Sequence, residues 1–222
     1  MKNPWVIIGT IAVVLFGSAF WYASISAEKN NEGVEILSHV KGNPEAGVVL
    51  VEYSDLQCPA CEAFRPIIND VIATYGEEVR FEYKHFPLPI HQYAVQAAAA
   101  AEAAGQQGKF FEYHDALFDN QQTWARSASP KILFLQYADE LELDMDTFRR
   151  HNNASLLRDK VEDDFAEGRE LGVSGTPTFF LNGERMVFTT YQEFIDQVGV
   201  AVDPSTATEV GIEVEPEVKF GL

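Results

Sequence analysis

The N-terminal segment carries no charged residue between Lys2 and Glu28. Within it, residues 5–25 read WVIIGTIAVVLFGSAFWYASI and are almost continuously apolar. About 20 such residues are enough for a helix to cross the ~30 Å hydrocarbon core of a membrane. The segment is apolar on every face, which disfavours the alternative of a buried core helix. Residues 1–27 are therefore predicted to form a transmembrane helix that anchors the chain.

The flanking charges predict the orientation of this helix. Lys2 precedes the span, whereas Glu28, Lys29 and Glu32 follow it. By the positive-inside rule, residues 28–222 then lie on the extracytoplasmic side of the cell membrane. A cleaved signal peptide is the alternative, with small residues at 24–26 for cleavage, although the apolar run exceeds the ~7–15 residues usual for such peptides. Either way the remaining chain reaches an oxidising compartment, and it is periplasmic or secreted if the segment is cleaved.

Charge and cysteine content exclude several classes of protein. The chain has 16 Lys and Arg against 34 Asp and Glu, a formal net charge of −18. Such a chain argues against nucleic acid or anionic lipid headgroups as main partners, because both require basic residues. Two cysteines cannot supply a disulfide-stapled scaffold, or a four-thiolate zinc site within one chain. The 222 residues suffice for one ordinary globular domain in addition to the anchor.

After the anchor, strand-like and helix-like patterns alternate. Residues 28–46 are polar and predict a linker that includes a short first strand at Val34–Leu37. The β-branched run 48–53 predicts a buried strand, a helix starts at Cys58-Pro59, and 79–86 predicts a second strand. Only helical patterns occur from His91 to Gly172. Two short strands around Asn182-Gly183 and a last helix over 191–200 follow.

This order, β-α-β, then a helical block, then β-β-α, is better explained by one interrupted sheet than by two domains. Residues 47–202 are therefore predicted to form one α/β domain with an inserted all-helical subdomain at about 90–172.

The acidic tail 203–222 alternates acids with Val and Ile. Disorder is slightly favoured for the tail over pairing as an edge strand.

The reactive groups of the chain are concentrated in Cys58-Pro59-Ala60-Cys61. A cysteine at a helix start lies near unpaired N–H groups and the positive end of the helix dipole, which favour the reactive thiolate. The second cysteine is one helical turn away, within reach of a disulfide. A C-x-x-C motif that follows a buried strand and opens a helix is typical of a thioredoxin-like redox motif.

Two other uses of the pair stay open on this pattern. A purely structural disulfide would close a very short loop and stabilise the fold little. Zinc would need two further ligands, whereas Cu(I) would accept soft sulfurs alone. The available histidines lie at no recognisable ligand spacing from the cysteines: His39, His85, His91, His114 and His151. No metal site is therefore predicted.

With these motifs, the sequence resembles the DsbA-like thiol–disulfide oxidoreductases, in particular their membrane-anchored bacterial members. The resemblance rests on 51–64 (VEYSDLQCPACEAF), Phe86-Pro87-Leu88, the helical insertion and 172–183 (GVSGTPTFFLNG). It implies a thioredoxin-like fold and an enzyme that exchanges disulfides with extracytoplasmic protein substrates. It implies no bound cofactor, but an oxidase of this kind would need a membrane redox partner to reoxidise it.

The resemblance also implies roles for single residues. Cys58 matches the exposed nucleophile and Cys61 the buried resolving thiol. Pro177 matches the cis-proline beside the active site, and Thr176 before it would offer backbone groups to an extended substrate. An ordinary turn before a strand is the alternative for this dipeptide.

Glu52 and Lys84 are predicted to tune the pKa of the thiols. The resemblance places a buried acid beneath the disulfide at Glu52, and Lys84 in the next strand is its predicted partner. A buried charge is costly unless it has such a partner or a function. A solvent-facing pair at a strand edge is the alternative.

One position departs from the pattern of the family. Strongly oxidising members commonly have histidine just before the second cysteine, where this chain has Ala60. Alanine cannot donate a hydrogen bond to the thiolate, so the reduced form of the enzyme is less stabilised and its disulfide is a weaker oxidant.

An oxidase that forms disulfides is the expected function. A reductase or isomerase using the same pair and a Cu(I) metallochaperone are the alternatives.

Overall fold

The structure is a computed structural model that describes residues 4–207. Its first element is helix α1, Pro4–Asn31. Among these residues, Ile8–Asn31 is the one helix long and apolar enough to cross a membrane. Large side chains along it, such as Phe16, Phe20 and Trp21, are exposed. The predicted N-terminal apolar helix is confirmed, and it continues past residue 27 into the segment predicted as a linker.

Within residues 4–207, five strands form one mixed sheet. They are β1 His39–Gly42, β2 Val48–Ser54, β3 Val79–His85, β4 Thr178–Leu181 and β5 Glu184–Arg185. Their order is β1-β3-β2-β4-β5. β2 and β3 are parallel, and the other neighbours are antiparallel. β2, which leads into the cysteine pair, is therefore the central strand.

The helices follow the predicted order. α2, Pro59–Tyr75, follows β2, and α9, Tyr191–Val202, follows β5. Between β3 and β4 lie α3 Ala94–Gly105, α4 Phe110–Asp119, α5 Gln121–Trp124, α6 Pro130–Glu140, α7 Met145–His151 and α8 Ser155–Glu170. The prediction of an α/β sheet interrupted by one helical insertion is confirmed.

Two boundaries differ from the sequence prediction. The strand predicted at Val34–Leu37 is wrong, since the first strand is β1. The N–H and carbonyl of Glu35 instead bond the side chain of Gln106, each at 2.8 Å, so a side-chain amide takes the place of a neighbouring strand. In the tail, Pro204–Thr206 form a short 3-10 helix. The disorder predicted for the rest of the tail concerns 208–222, which lie outside the described residues.

The helical insertion shares its core with the sheet. One cluster of buried side chains includes Leu50 and Phe81 of the sheet and Leu117, Trp124 and Phe134 of the insertion. Helix α3 is rich in alanine, and its small side chains let α4 and α8 pack closely against it. This common core holds the insertion in a fixed position relative to the cysteine-bearing helix.

The end of α1 is attached to the insertion by polar contacts. Asn31 Nδ2 donates to Ser155 Oγ (2.9 Å), and Asn31 Oδ1 accepts from the N–H of Leu156 (3.3 Å). His151 Nε2 lies 3.2 Å from the carbonyl oxygen of Glu32. The junction of α7 and α8 therefore holds the last turn of α1.

A buried ionic cluster joins β1 and β3 to α3. Glu102 Oε1 lies 2.9 Å from His39 Nε2 and 3.1 Å from His85 Nε2, and Glu102 is fully buried. Burial alone would raise the pKa of Glu102, but hydrogen bonds from the two histidines outweigh it and lower the pKa to about 2. The carboxylate is thus charged in the folded protein.

Replacing Glu102 with Gln should destabilise the protein at neutral pH by on the order of 3 kcal/mol, because two buried histidines lose their charged acceptor. The pKa of Glu102 is lower in the folded chain than the ordinary 4.5, so its stabilisation is full above pH 4.5 and disappears as the pH falls toward about 2. Urea unfolding of the full chain in detergent, over a pH series, measures both effects.

As a matched control, Glu170→Gln changes an exposed carboxylate on α8 and should unfold like the wild type. Equal stabilities of the wild type and E102Q at neutral pH would contradict this role for Glu102.

Candidate active site

The cysteine pair lies where the central strand meets a helix. β2 ends at Ser54, residues 55–57 turn the chain, and Cys58 is the N-cap of α2 with an extended backbone (φ −81°, ψ 121°). Pro59 occupies the first turn of the helix, where its missing N–H costs no hydrogen bond. The carbonyl of Cys58 accepts from the N–H groups of Cys61 (3.1 Å) and Glu62 (3.2 Å), and these bonds start the helix.

The two sulfur-bearing side chains differ in their accessibility. Cys58 keeps 7% of its surface exposed, whereas Cys61 keeps 1%. Both are free thiols in this structure. A reagent or a substrate sulfur therefore reaches Cys58 first, and Cys61 lies beneath it.

The surroundings shift the pKa values of the two thiols in opposite directions. A hydrogen bond from the Cys61 thiol lowers the pKa of Cys58 most; burial opposes this, and hydrogen bonds from Thr176 and from the N–H groups of Cys61 and Ala60 lower the pKa further, to about 5. Burial raises the pKa of Cys61 well above its ordinary value, and the hydrogen bond to Cys58 and the charge of Glu52 raise it further. At neutral pH, Cys58 is a thiolate and Cys61 a thiol.

The loop before β4 lies against Cys58. The peptide bond Thr176–Pro177 is cis, and the carbonyl oxygen of Thr176 is 3.4 Å from Cys58 Sγ. Thr178 Oγ1 donates to the carbonyl of Gly175 (2.8 Å), which fixes the loop at its entry into the strand. Thr176 Oγ1 is buried with no other hydrogen-bond partner in the described part of the chain, so its hydroxyl is available to a thiolate at Cys58.

Glu52 lies beneath the pair, within β2. Its side chain is buried and, together with Cys61, lines a cavity of about 10 Å³, roughly the size that one water molecule needs. Burial raises the pKa of Glu52 to about 7, and the nearby Ser54 hydroxyl and the charge of Lys41 only partly offset it. A carboxyl group with a pKa near 7 can take up and release a proton at physiological pH.

Lys84 does not lie beside Glu52. In the parallel pairing of β2 with β3, Glu52 is opposite Tyr83. Lys84, one residue further, points to the other face of the sheet because side chains alternate along a strand. Its Nζ lies 3.0 Å from Glu167 Oε2. The prediction that Lys84 is the partner of Glu52 is therefore wrong, and Lys41 of β1 lines the cavity of Glu52 instead.

Two polar side chains at the site were missed by the sequence analysis. Gln121 of α5 donates from Nε2 to the carbonyls of Leu56 (2.9 Å) and Cys58 (3.0 Å). It comes 63 residues after Cys58, so no local pattern reveals it. Asp55 accepts from the N–H of Gln57 (2.7 Å), and a local signal did exist, because Asp in the turn before a helix commonly bonds the backbone two residues on.

The arrangement is suited to sulfur exchange. Within residues 4–207, no three His, Cys, Asp or Glu side chains are grouped so that they could hold a metal ion. An accessible acidic thiol with a second thiol one helical turn away can form, transfer and resolve disulfides. Fold and site together define an enzyme of the class of thiol–disulfide oxidoreductases with a thioredoxin-like fold.

The chain belongs to the thioredoxin family. The family model described as Thioredoxin matches residues 35–198, which include both cysteines and the loop at Thr176-Pro177. α1 lies wholly outside the matched range. The family assignment therefore concerns the globular domain.

Solved structures with similar folds include proteins named as an oxidoreductase, as DsbA and as BdbD. A thioredoxin-like oxidoreductase from Silicibacter pomeroyi is 29% identical, covers 74% of this chain and 91% of its own, and has a TM-score of 0.63. The alpha-DsbA1 protein of Wolbachia pipientis (20% identical, 82% of this chain, 99% of its own) has a TM-score of 0.67. Oxidised BdbD from Bacillus subtilis is 21% identical, covers 78% of this chain and 94% of its own, and has a TM-score of 0.66.

Curated relatives match the chain over a part of their own length. Na⁺/H⁺ antiporter NhaA 3 of Salinispora tropica is 42% identical over 148 residues, which are 66% of this chain and 22% of the relative. The Na⁺/H⁺ antiporter NhaA of Herminiimonas arsenicoxydans is 33% identical over 150 residues, which are 68% of this chain and 23% of the relative. The chain thus spans less than a quarter of these relatives, and the antiport in their names describes those proteins.

Alkylation of reduced Cys58 by iodoacetamide should titrate with a midpoint near pH 5, because its pKa is lowered to about 5. Cys61 should stay unlabelled in the native protein, since it is buried and its pKa is raised. Mass spectrometry of the labelled full chain across a pH series measures both sites.

The variant Cys61→Ala removes the thiol that donates to Cys58, so the midpoint should rise by about one pH unit or more. A wild-type midpoint near 9, the ordinary pKa of a thiol, would contradict the arrangement described for Cys58.

Proposed function

We propose that the protein is a thiol–disulfide oxidase that forms disulfides in extracytoplasmic proteins through Cys58 and Cys61. The observation that carries this proposal is the position of Cys58 at the N-cap of α2 beside Thr176, where its pKa is lowered to about 5. A stabilised thiolate stabilises the reduced enzyme, and a stabilised reduced form makes the enzyme disulfide a stronger oxidant. Ala60 supplies no side-chain donor, but Cys61, Thr176 and two backbone N–H groups supply hydrogen bonds to the thiolate.

The first step opens the enzyme disulfide. A substrate thiolate attacks Cys58 Sγ, the more accessible sulfur of the pair. The bond between Cys58 and Cys61 breaks, a mixed disulfide forms between Cys58 and the substrate, and Cys61 leaves with the electron pair. Because Cys61 is buried, its thiolate is costly and takes up a proton.

The second step releases the oxidised substrate. A second substrate thiolate attacks the substrate sulfur of the mixed disulfide, and Cys58 leaves as a thiolate, which its low pKa favours. The substrate has lost two electrons and holds a new disulfide; the enzyme is reduced. The backbone of Thr176, beside Cys58 Sγ, is placed to pair with an extended substrate segment.

Glu52 is the group we assign to proton exchange with Cys61. It shares a water-sized cavity with Cys61, and its pKa of about 7 allows it to give a proton to the leaving Cys61 thiolate and to take one back. One water in the cavity would suffice to relay the proton.

The enzyme then needs an external oxidant, because the two cysteines of the chain are both in the active pair. We assign this step to a redox partner in the membrane, which accepts two electrons and restores the disulfide. α1 supports the location, since it is long and apolar enough to span the bilayer. Lys2 before its apolar segment and Glu28 after that segment favour an extracytoplasmic domain.

Redox titration against glutathione should give a reduction potential closer to that of DsbA, about −120 mV, than to that of thioredoxin, about −270 mV. The reason is the stabilised Cys58 thiolate in the reduced form. A value near the thioredoxin end would favour a reductase and contradict the oxidase proposal.

Two variants test the assigned roles in the same assay of peptide oxidation. Cys58→Ser should abolish exchange. Cys61→Ser cannot form the enzyme disulfide and should not oxidise the peptide; with oxidised glutathione present, its Cys58 should accumulate mixed disulfides because the buried resolving thiol is missing. Full activity in both variants would overturn the assignment.

Glu52→Gln should slow peptide oxidation about tenfold at neutral pH and remove an inflection near pH 7 from the rate profile, since glutamine cannot exchange the proton of Cys61. The control is Glu78→Gln, an exposed carboxylate after α2, which should keep the wild-type profile. If E52Q retains both rate and inflection, Glu52 is not the proton carrier.

A further inference from the structure

Asp55 is a buried acid in the turn before Cys58, and the exchange steps above give it no role. Its carboxylate is fully buried, and among the described residues three groups bond it. Oδ2 accepts from the N–H of Leu88 (2.8 Å) and lies 2.7 Å from His91 Nδ1. Oδ1 accepts from the N–H of Gln57 (2.7 Å). The carboxylate thus fastens the turn to the loop that follows β3.

The backbone of Asp55 contacts both cysteines. Its carbonyl accepts from the N–H of Cys58 (2.9 Å), and its own N–H points at Cys61 Sγ (3.5 Å). Because the carboxylate is held on both oxygens, the orientation of this backbone segment is fixed. A carboxylate outside the exchange chemistry therefore determines where one N–H donor is aimed.

We propose that Asp55 is a positioning residue of the exchange reaction, whose side chain, held by His91 and Leu88, aims its backbone N–H at Cys61 Sγ and so stabilises the Cys61 thiolate. The proposal rests on the proposed function, because only a reacting Cys61 needs such a donor. It divides the site by function: Thr176 and the helix N-terminus serve Cys58, and the Asp55 turn serves Cys61.

The need for this donor follows from the surroundings of Cys61. Burial, the hydrogen bond to Cys58 and the charge of Glu52 all disfavour its thiolate, whereas the N–H of Asp55 favours it. A thiolate must nevertheless form at Cys61, both when it leaves the enzyme disulfide and when it attacks Cys58 to resolve a mixed disulfide. An N–H donor to a buried anion is a strong, charge-assisted hydrogen bond.

The step that isolates Cys61 is resolution of a mixed disulfide. The Cys61 thiolate attacks Cys58 Sγ, the bond between Cys58 and the bound thiol breaks, and the bond between Cys58 and Cys61 forms. The bound thiol leaves as a thiolate, and the proton lost by Cys61 passes to Glu52. The step is an exchange and requires no further oxidant.

The experiment uses the reduced full chain in detergent with oxidised glutathione as probe. Cys58 attacks the glutathione disulfide, and the lifetime of the Cys58–glutathione adduct is followed by acid quenching and mass spectrometry over a pH series. In Asp55→Asn, one of the two acceptor oxygens becomes an N–H₂ group, which meets the N–H donor of Gln57 or that of Leu88. We expect the adduct to live about tenfold longer and the pH midpoint of resolution to rise, with Cys58 alkylation within about twofold of the wild type.

Three further variants complete the test. Asp70→Asn changes an exposed acid on α2 and should behave as wild type. His91→Ala removes one donor to Asp55 and should lengthen the adduct lifetime, and His91→Gln, which can still donate, should restore it. The two His91 variants carry the test if Asp55→Asn does not fold.

Two results would overturn the proposal. One is an Asp55→Asn protein that resolves the adduct with the lifetime and pH midpoint of the wild type. The other is equal slowing of Cys58 alkylation and of adduct resolution, which would indicate general loosening of the turn. If the wild type forms no adduct on Cys58, the proposed function itself fails, and this inference fails with it.

Discussion

The hydrogen bond between the two thiols determines how the cysteine pair reacts. This bond lowers the pKa of Cys58, whereas burial and then the same bond raise the pKa of Cys61, so one sulfur is stabilised as an anion at the expense of the other. Burial reinforces this asymmetry, because Cys61 lies beneath Cys58 and away from water. Two identical side chains thereby acquire different chemistry from their positions in one helical turn.

The central strand supplies the geometry on which this asymmetry depends. β2 carries Glu52 toward the cavity beneath Cys61 and then delivers the chain to the turn at Asp55. The helical insertion contributes as well, since Gln121 bonds the carbonyl of Cys58 at the helix start. The insertion is therefore part of the support of the active site, in addition to covering the sheet.

How much of the structure could be predicted from the sequence depends on how far apart in the chain the interacting residues lie. Local patterns sufficed for β2, for the helix at Cys58-Pro59 and for the strand after Pro177, because alternation, proline position and turn residues act within a few residues. The strand predicted at Val34–Leu37 was wrong because this segment is bonded by Gln106, far along the chain. Lys84 was misplaced for a related reason: strand identity does not give the register, and register decides which face a side chain occupies. His91 was counted only as a candidate ligand, since its bond to Asp55 joins two loops.

The attachment of α1 has a consequence for how such an enzyme would meet its partners. A single helix runs from the apolar segment to Asn31, and the α7–α8 junction holds its end. With α1 in the bilayer, the domain would be mounted on the membrane rather than tethered by a flexible chain, and its reach would be short. The enzyme and a membrane-embedded oxidant would then meet by lateral diffusion in the same bilayer. The short distance between the domain and the membrane would give the two proteins a high effective concentration. Soluble substrates, by contrast, would have to come to the membrane surface to be oxidised.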